Sequence, residues 1–187
     1  YNKENWELAK QIEPKFAKII LDVITQYSTE YKETCQSYVK LDEYSIKEYL
    51  SIIYNQDYSN AKINEIGGGN LNQVFKIITN ESSFIVKQAL PYLRCVGESY
   101  ALDKIRMKYE IAYLKIASEL YDEHIPTLYY ADDKQMMLVN MQDLNQHQLM
   151  RDGLVNGIQY PNFSKHIAKF LAAVLFKTSR NYLRLDE

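Results

Sequence analysis

The sequence lacks the features that mark several familiar protein classes. Its two cysteines, Cys35 and Cys95, are isolated, with no Cys-x-x-Cys pair and no histidine at metal-ligand spacing. We therefore expect two free thiols in a reducing compartment rather than a disulfide. The longest apolar run, Phe170 to Phe176, is far shorter than the roughly 20 residues that span a bilayer. With no signal peptide visible, these absences favour a soluble, cytoplasmic protein without a membrane partner.

The charges are balanced, so no strongly charged partner is indicated. Lysine and arginine number 22 against 24 aspartates and glutamates, a net charge of −2. Tyrosine is abundant, with 17 residues against six Phe and one Trp. Base-stacking surfaces also use tyrosine, but together with basic clusters, which this sequence lacks. We expect no nucleic-acid partner. The remaining composition, 47% apolar and 25% charged over 187 residues, suits one globular domain or one and a half, with a sizeable core.

Apolar residues at three- and four-residue spacing predict four helical regions. They cover residues 1–36, where Pro14 introduces a kink or a second helix start, and residues 42–54, 103–121 and 162–179. The second region carries the apolar residues Tyr44, Ile46, Tyr49, Leu50 and Ile53. The stripe predicted to be buried in the third region consists of Ile105, Tyr109, Ala112, Tyr113, Ile116 and Leu120. The stripe of the last region, predicted to be core, consists of Ile167, Leu171, Val174 and Leu175.

Short β-type runs separated by turn residues predict an antiparallel sheet. Two or three strands lie between Ala61 and Lys87, with a hairpin turn at Asn80–Ser83, and a loop containing Pro91 and Gly97 follows. Two further strands are predicted at 127–131 and 136–141. The order of helices and strands predicts an α+β fold with a mostly antiparallel sheet.

A glycine run between two predicted strands is the first candidate for a functional site. Residues 66–75 read IGGGNLNQVF, and Gly67 and Gly69 would let the backbone approach a ligand phosphate closely. By itself the run also suits an ordinary glycine-rich hairpin turn. It is neither a Walker P-loop nor a dinucleotide fingerprint.

A lysine and a glutamate farther along the chain extend this candidate. Lys87 ends a predicted strand, where a kinase-type lobe places its phosphate-pairing lysine, and Glu110 lies on the following helix as its partner. The alternative is that Lys87 is solvated and that Glu110 forms a surface pair with Arg106 at i, i+4 spacing. The residues alone favour a kinase-like lobe without deciding between these alternatives.

Three longer stretches carry a resemblance to a known family. They are GGGNLNQVF from residue 67, VKQALPYLRCVGES from residue 86 and DLNQHQLMRDGL from residue 143. In these stretches the chain resembles the methylthioribose kinases, of the protein-kinase-like, aminoglycoside-phosphotransferase-like superfamily. The resemblance runs from about residue 42 to 180. It implies a kinase-like N-terminal lobe with an antiparallel sheet and a helix, preceded by helices and followed by the first helix of a truncated C-terminal lobe.

The resemblance also implies roles for individual positions. Asn70 in the glycine loop would contact nucleotide phosphates, and Lys87 would pair with the α- and β-phosphates, with Glu110 as its less firmly assigned partner. Gly67 and Gly69 would support the loop.

The implied adenine site lies between the lobes. Met141, Gln142 and Asp143 match the family's linker, where backbone groups receive the adenine. The family usually has Glu at the position of Gln142 and Asp at that of Gly68. The first departure matters little because backbone atoms make the adenine contacts, whereas the second alters loop stiffness or metal handling.

The implied activity is ATP-dependent phosphorylation of 5-methylthioribose at its 1-hydroxyl, a step of methionine salvage, with ATP and Mg²⁺ as cofactors and a homodimeric enzyme. The His-Gly-Asp type catalytic loop and the later Asp metal motif are not found among these 187 residues. We therefore expect a fragment without catalytic or metal-ligating residues, inactive by itself. Its expected parts are a helical extension of unknown role (1–40), the nucleotide-binding lobe (41–144) and the start of a truncated C-terminal lobe (145–187). The alternatives are another small-molecule kinase of the superfamily, or a non-catalytic lobe that binds nucleotide or a partner.

The histidines suggest no site of their own. His147 with Arg151 and Asp152 has the wrong spacing for a catalytic loop, and Asp152–Gly153 suits a turn or a helix end. We expect His124 in a loop and His166 on a helix flank.

Overall fold

The computed structural model describes residues 38–67, 69–179 and 182. The predicted helix over 1–36, with Cys35, and Gly68 of the glycine run lie outside these residues. Contacts divide the described chain into two compact units. Residues 38–114 and 126–147 form the larger unit, and residues 115–125 and 148–179 belong to the smaller one.

The larger unit is built on a five-stranded antiparallel sheet, as the sequence predicts. In chain order its strands are β1 (Lys62–Glu65), β2 (Asn72–Ile78), β3 (Ser83–Ala89), β6 (Leu128–Asp132) and β7 (Leu138–Gln142). Their order across the sheet is β1-β2-β3-β7-β6. The predicted hairpin turn between β2 and β3 is confirmed, with the Thr79 N–H donating to the Ser82 carbonyl at 2.9 Å.

Alternation along the strands gives the sheet two different faces. One face is apolar and fully buried at Phe75, Ile77 and Val86. The helix α1 (Ser45–Tyr54) belongs to the same core cluster through Ile46 and Leu50. This core fixes the register of the sheet, because a shift by one residue would bring the other face inward.

Helix α1 confirms the predicted amphipathic segment, with one correction. Asp42 lies in the turn that precedes the helix, where its carboxylate accepts hydrogen bonds from the Tyr44 and Ser45 N–H groups at 3.0 and 2.8 Å. Tyr44, predicted on the apolar stripe, is 85% exposed. It precedes the first residue of the helix, so its side chain does not share the face of Ile46 and Leu50.

The next helix, α2 (Arg106–Tyr121), exists as predicted but buries a different stripe. Tyr109 and Tyr113 are exposed, and of the predicted stripe only Ile116 is buried. Besides Ile116, the buried apolar residues of this helix are Met107, Ile111, Leu114 and Ala117, and Lys108 is buried as well. The prediction was wrong because it assigned the tyrosines to the core. A tyrosine side chain is also stable at the surface, where its hydroxyl group hydrogen-bonds to water.

The loop predicted around Pro91 and Gly97 contains a small hairpin that the sequence did not reveal. Strands β4 (Tyr92–Leu93) and β5 (Gly97–Ala101) pair antiparallel with an irregular register. Gly97 has a φ of +91°, a conformation that side-chain-bearing residues rarely adopt. Cys95 lies in the connection of this hairpin as an exposed free thiol, as expected.

The smaller unit contains a 3₁₀ turn (Asp122–His124) and the helices α3 (Met150–Val155) and α4 (Phe163–Lys177). Asp152 and Gly153 lie inside α3 rather than at a turn or helix end. The predicted helix α4 is confirmed, but its stripe is not core: Val174 is buried whereas Leu171 and Leu175 are exposed. An amphipathic pattern shows which face can be buried and not whether a partner covers it. In the described ranges, no helix is both long and apolar enough to cross a membrane.

Candidate functional site

The second face of the sheet in the larger unit carries the candidate site. Lys87 of β3 lies directly opposite Val74 of β2 and Val139 of β7, and directly opposed residues share a face. Ile85 and Met141 form the next opposed pair on this face. We call this surface the site face. It is an apolar patch of half-buried side chains around the buried Val139, with Lys87 at one end and Lys76 opposite Ile85.

The lysine on the site face is paired with a carboxylate from helix α2. Lys87 Nζ lies 2.5 Å from Glu110 Oε1, and the two side chains are 27% and 28% exposed. The structure therefore brings the two predicted partners into contact. The alternative was a surface pair between Arg106 and Glu110. The guanidinium of Arg106 instead donates its hydrogen bonds to backbone carbonyls and to one amide oxygen.

The glycine loop lies at the same end of the sheet as Lys87. A hydrogen bond from the Ile66 N–H to the Val74 carbonyl, 2.8 Å long, closes its base. Asn72, the first residue of β2, is opposite Ala89, two residues beyond Lys87 on β3. The loop therefore brings its backbone and the exposed Asn70 to the edge where the lysine lies.

The glycines of this loop differ in the space around them. A Cβ at Gly69 would lie 3.3 Å from the Asn72 carbonyl oxygen, whereas a Cβ at Gly67 would meet nothing within 4 Å. Gly69 therefore permits a close turn of the backbone. At Gly67 the lack of a side chain leaves open space above the backbone, which is the condition for a close approach by a ligand.

Of the predicted linker residues, Met141 and Gln142 are the last two residues of β7 and Asp143 follows the strand, at the end of the site face opposite to Lys87. The Gln142 N–H donates to the Thr127 carbonyl at 2.8 Å, so this group is occupied by the sheet. The Gln142 side-chain oxygen also accepts a bond from the Thr127 N–H at 3.2 Å. A nucleobase bound at this edge would therefore have to hydrogen-bond to the backbone of residues next to Gln142 and not to the Gln142 N–H.

Asp143 has a structural partnership that the sequence did not indicate. Its Oδ2 accepts a hydrogen bond from Ser83 Oγ at 2.6 Å and lies 2.7 Å from Lys76 Nζ, and its side chain is 9% exposed. Desolvation raises the pKa of this carboxyl, but the bonds from Lys76 and Ser83 and the charge of Lys76 outweigh it and hold the pKa below its usual value. Lys76 is opposite Ile85 on the neighbouring strand. The same period-two alternation that places Lys87 on the site face therefore also predicts that Lys76 lies on this face.

Replacing Asp143 by asparagine tests this anchor through the pH dependence of stability. A carboxyl with a lowered folded pKa stabilises the fold above its unfolded pKa, and the stabilisation is lost as the pH falls through the folded pKa. We expect Asp143→Asn to lower the free energy of unfolding by about 1 kcal/mol at pH 7, since the pair reaches solvent at Lys76. The difference from the parent should shrink as the pH falls through the lowered pKa of Asp143 and vanish once that carboxyl is protonated. Urea unfolding across this range measures it, with Glu81→Gln, at the exposed hairpin tip, as the control.

The three histidines are not among the residues of the site face. His147 is exposed, and His166 is exposed on helix α4, where a position on a helix flank was predicted. His124, predicted in a loop, lies in the 3₁₀ turn with its ring 4.5 Å from that of Tyr121 and stacked near Phe170. The smaller unit has a pocket of about 270 Å³ lined by His124, Phe163, His166, Ile167 and Phe170.

The acidic side chains near the site do not form a cluster suited to a divalent cation. Mg²⁺ prefers a set of oxygen ligands with carboxylates among them. Across residues 38–67 and 69–179, no three His, Cys, Asp or Glu side chains come together in such a group. Glu110 and Asp143 are each paired with a lysine, and Glu65, next to the glycine loop, is paired with Arg94. The described residues thus fit an anionic ligand better than they fit a bare metal ion.

The sequence is similar to methylthioribose kinases from several bacilli. It is 39% identical over 150 residues to that of a Bacillus cereus strain, 41% to that of Bacillus cereus strain G9842 and 39% to that of Bacillus anthracis strain CDC 684. Each alignment covers 77% of this chain and 38% of the relative. The chain therefore spans well under half the length of the curated relatives that it matches. No protein-family model matches the sequence.

Proposed function

We propose that this chain belongs to the methylthioribose kinase family, to whose members it is 39–41% identical over 150 residues, and that residues 41–144 form the nucleotide-binding lobe of an ATP-dependent small-molecule kinase. The observation that carries the proposal is the Lys87–Glu110 pair beside the glycine loop on the site face. Phosphoryl transfer depends mainly on positioning and on electrostatic stabilisation of phosphate charge. The described residues supply elements of both.

Each part of the site face has a chemical task in this proposal. Lys87 donates to the α- and β-phosphate oxygens, and Glu110 holds its ammonium group in place. Asn70 and the backbone N–H groups of the loop also bind the phosphates, and Gly67 and Gly69 allow the close approach of the backbone that this requires. The adenine ring packs against the apolar side chains of Val74, Ile85 and Met141. Backbone groups next to Gln142 form hydrogen bonds with the edge of the ring.

The acceptor we propose is 5-methylthioribose, phosphorylated at its 1-hydroxyl in methionine salvage. The support is the name of the relatives, each a methylthioribose kinase. Residues 145–187 would begin the second lobe, and residues 1–40 remain a helical extension in this proposal. A general base for the acceptor hydroxyl is not assigned to any residue of this chain. Mg²⁺, when bound, would neutralise phosphate charge, and its protein ligands are likewise not assigned to residues of this chain.

Calorimetric titration of the chain with ATP, ADP, AMP and adenosine tests the nucleotide site. Each charge-assisted hydrogen bond to a phosphate is worth about 1.5–3 kcal/mol, so we expect ADP to bind at least about tenfold more tightly than adenosine. Equal affinity for ADP and adenosine, or no binding of any nucleotide, would contradict the proposal. The last result would favour a lobe with a structural or partner-binding role.

The acceptor is tested separately with the full-length gene product and a coupled ADP-release assay. Methylthioribose, choline and an aminoglycoside are compared at equal concentration. Turnover of methylthioribose alone supports the proposed substrate. Turnover of choline or the aminoglycoside in its place would assign the protein to another small-molecule kinase of the superfamily.

A further inference from the structure

Two arginines hold the carbonyl groups at the end of the glycine loop. Arg94 lies in the connection between β4 and β5, and its backbone N–H donates a hydrogen bond to the Asn70 carbonyl at 2.9 Å. Its guanidinium donates to the Asn72 carbonyl at 3.3 Å and pairs with Glu65, the last residue of β1, at 2.5 Å. Arg94 therefore links both ends of the loop through one side chain.

The second arginine reaches the same segment from helix α2. Arg106 Nη2 donates to the Leu71 carbonyl at 2.6 Å and to Asn72 Oδ1 at 3.1 Å. The same nitrogen lies 2.8 Å from the Leu90 carbonyl, just after β3. Burial lowers the pKa of the Arg106 guanidinium somewhat, but arginine stays charged at any physiological pH.

Together these contacts occupy three successive carbonyl groups, those of residues 70, 71 and 72. In a trans peptide the C=O and the following N–H point in opposite directions within one plane. Each of these bonds therefore also sets the direction of the next N–H. Carbonyl oxygens repel phosphate oxygens, and the carbonyls of residues 71 and 72 would have to break their guanidinium bonds to rotate towards the ligand.

We propose that Arg94 and Arg106 act as an arginine brace, a pair of positioning residues that orders the glycine loop for nucleotide phosphates before the nucleotide binds. The proposal rests on the proposed nucleotide site and adds to it residues that do not touch the ligand. Arg94 has its charge compensated by Glu65. Arg106 is committed to backbone oxygens of the loop and to that of Leu90, just after β3.

The brace also connects the loop with the Lys87 pair. Arg106 is the first residue of α2, and Glu110 lies one turn farther along the same helix. The helix that holds the loop carbonyls thus also supplies the carboxylate that holds Lys87. A loop and a lysine fixed by one rigid element need less ordering on binding, which is the energetic advantage of a preorganised site.

Arg94→Gln is the primary test, because this side chain is 27% exposed and its guanidinium contacts only the two ends of the loop. Hydrogen–deuterium exchange without nucleotide reports the loop directly. We expect backbone amides of residues 66–73 to exchange at least about tenfold faster than in the parent. ADP affinity should fall about tenfold, the loss of roughly one hydrogen bond to a charged group, while adenosine affinity stays unchanged.

Two further variants keep the test decisive. Lys62→Gln removes an exposed charge from the same strand as Glu65 and should change neither readout. Glu65→Ala releases one end of Arg94 without altering an arginine, and should accelerate exchange in the loop even if Arg94→Gln fails to fold.

The outcomes separate the brace from the nucleotide site. Unchanged exchange in both Arg94→Gln and Glu65→Ala overturns the brace. Faster exchange with unchanged ADP affinity overturns the claim that the order of the loop serves phosphate binding. If the parent chain binds no ADP, the proposed function fails instead, and the exchange rates alone decide whether the arginines hold the loop.

Discussion

Replacing Lys87 by alanine is expected to weaken binding of ATP and ADP by about 10- to 100-fold. The ammonium group would make charge-assisted hydrogen bonds to the phosphates, each worth about 1.5–3 kcal/mol. Its removal also leaves Glu110 as an uncompensated negative charge close to the phosphates, which adds repulsion. Adenosine should bind the variant as it binds the parent chain, because the apolar patch of the site face is unchanged. Calorimetric titration of both proteins measures the effect.

Two companion variants show whether the effect comes from this particular lysine. Lys62→Ala removes an exposed lysine from strand β1 and should leave all affinities unchanged. Glu110→Gln keeps a hydrogen-bond acceptor for Lys87 but removes the carboxylate charge, so we expect a smaller loss than for Lys87→Ala. Equal losses for ADP and adenosine in Lys87→Ala would indicate a damaged fold, and an unchanged ADP affinity would remove Lys87 from the site.

The second large effect is expected for stability, from Gln88→Leu. Gln88 is completely buried, and its side chain joins three separate backbone groups. Its Oε1 accepts from the Leu41 N–H at 2.9 Å, and its Nε2 donates to the Val39 and Met136 carbonyls at 2.9 and 3.0 Å. Leucine fills nearly the same volume but leaves all three groups without this partner. Since an unsatisfied buried group costs about 1–3 kcal/mol, we expect a loss of at least about 3 kcal/mol in the free energy of unfolding.

Urea unfolding followed by circular dichroism measures this loss, with Gln146→Leu as the control on an exposed residue of the same unit. Gln88 neighbours Lys87 but its side chain belongs to the opposite, buried face of the sheet. Below the urea transition, the folded Gln88→Leu variant should therefore keep most of its ADP affinity. A loss below about 1 kcal/mol would mean that water replaces the glutamine in holding the segment at residues 39–41.

Much of the larger unit could be predicted because its information is local. Strands β2 and β3 follow from alternation and a turn, and Lys87 lies on the site face because that face repeats every second residue. The position of Glu110 followed from the order of strand and helix in a kinase-type lobe. These features depend on spacing along the chain, which a sequence displays directly.

The brace could not be predicted because it depends on distance in space. Arg94 lies in a short hairpin whose two-residue strand is too brief for a periodic pattern. For Arg106, helical spacing suggests only Glu110, four residues away, as a partner. Its actual acceptors belong to the loop and to the residue after β3. Contacts from a guanidinium to backbone carbonyls carry no sequence signature, because every residue has a carbonyl.

The helices show a second limit of prediction from periodicity. In α2 the buried face was misassigned because tyrosine suits both water and apolar surroundings. In α4 the apolar face was assigned correctly as a stripe, yet Leu171 and Leu175 are exposed in the structure. Periodicity gives the phase of a helix only when its large residues are unambiguously apolar.

The most direct test of the proposed nucleotide site is a map of the backbone amide NMR signals that shift when ATP is added to this chain. We predict the largest shifts in the glycine loop at 66–73, at Lys87 and at 141–144, with little change around the pocket that contains His124. Adenosine should reproduce only the shifts at 141–144 and on the apolar patch. Shifts confined to the His124 pocket, or no shifts with ATP in large excess, would contradict a nucleotide site on this face of the sheet.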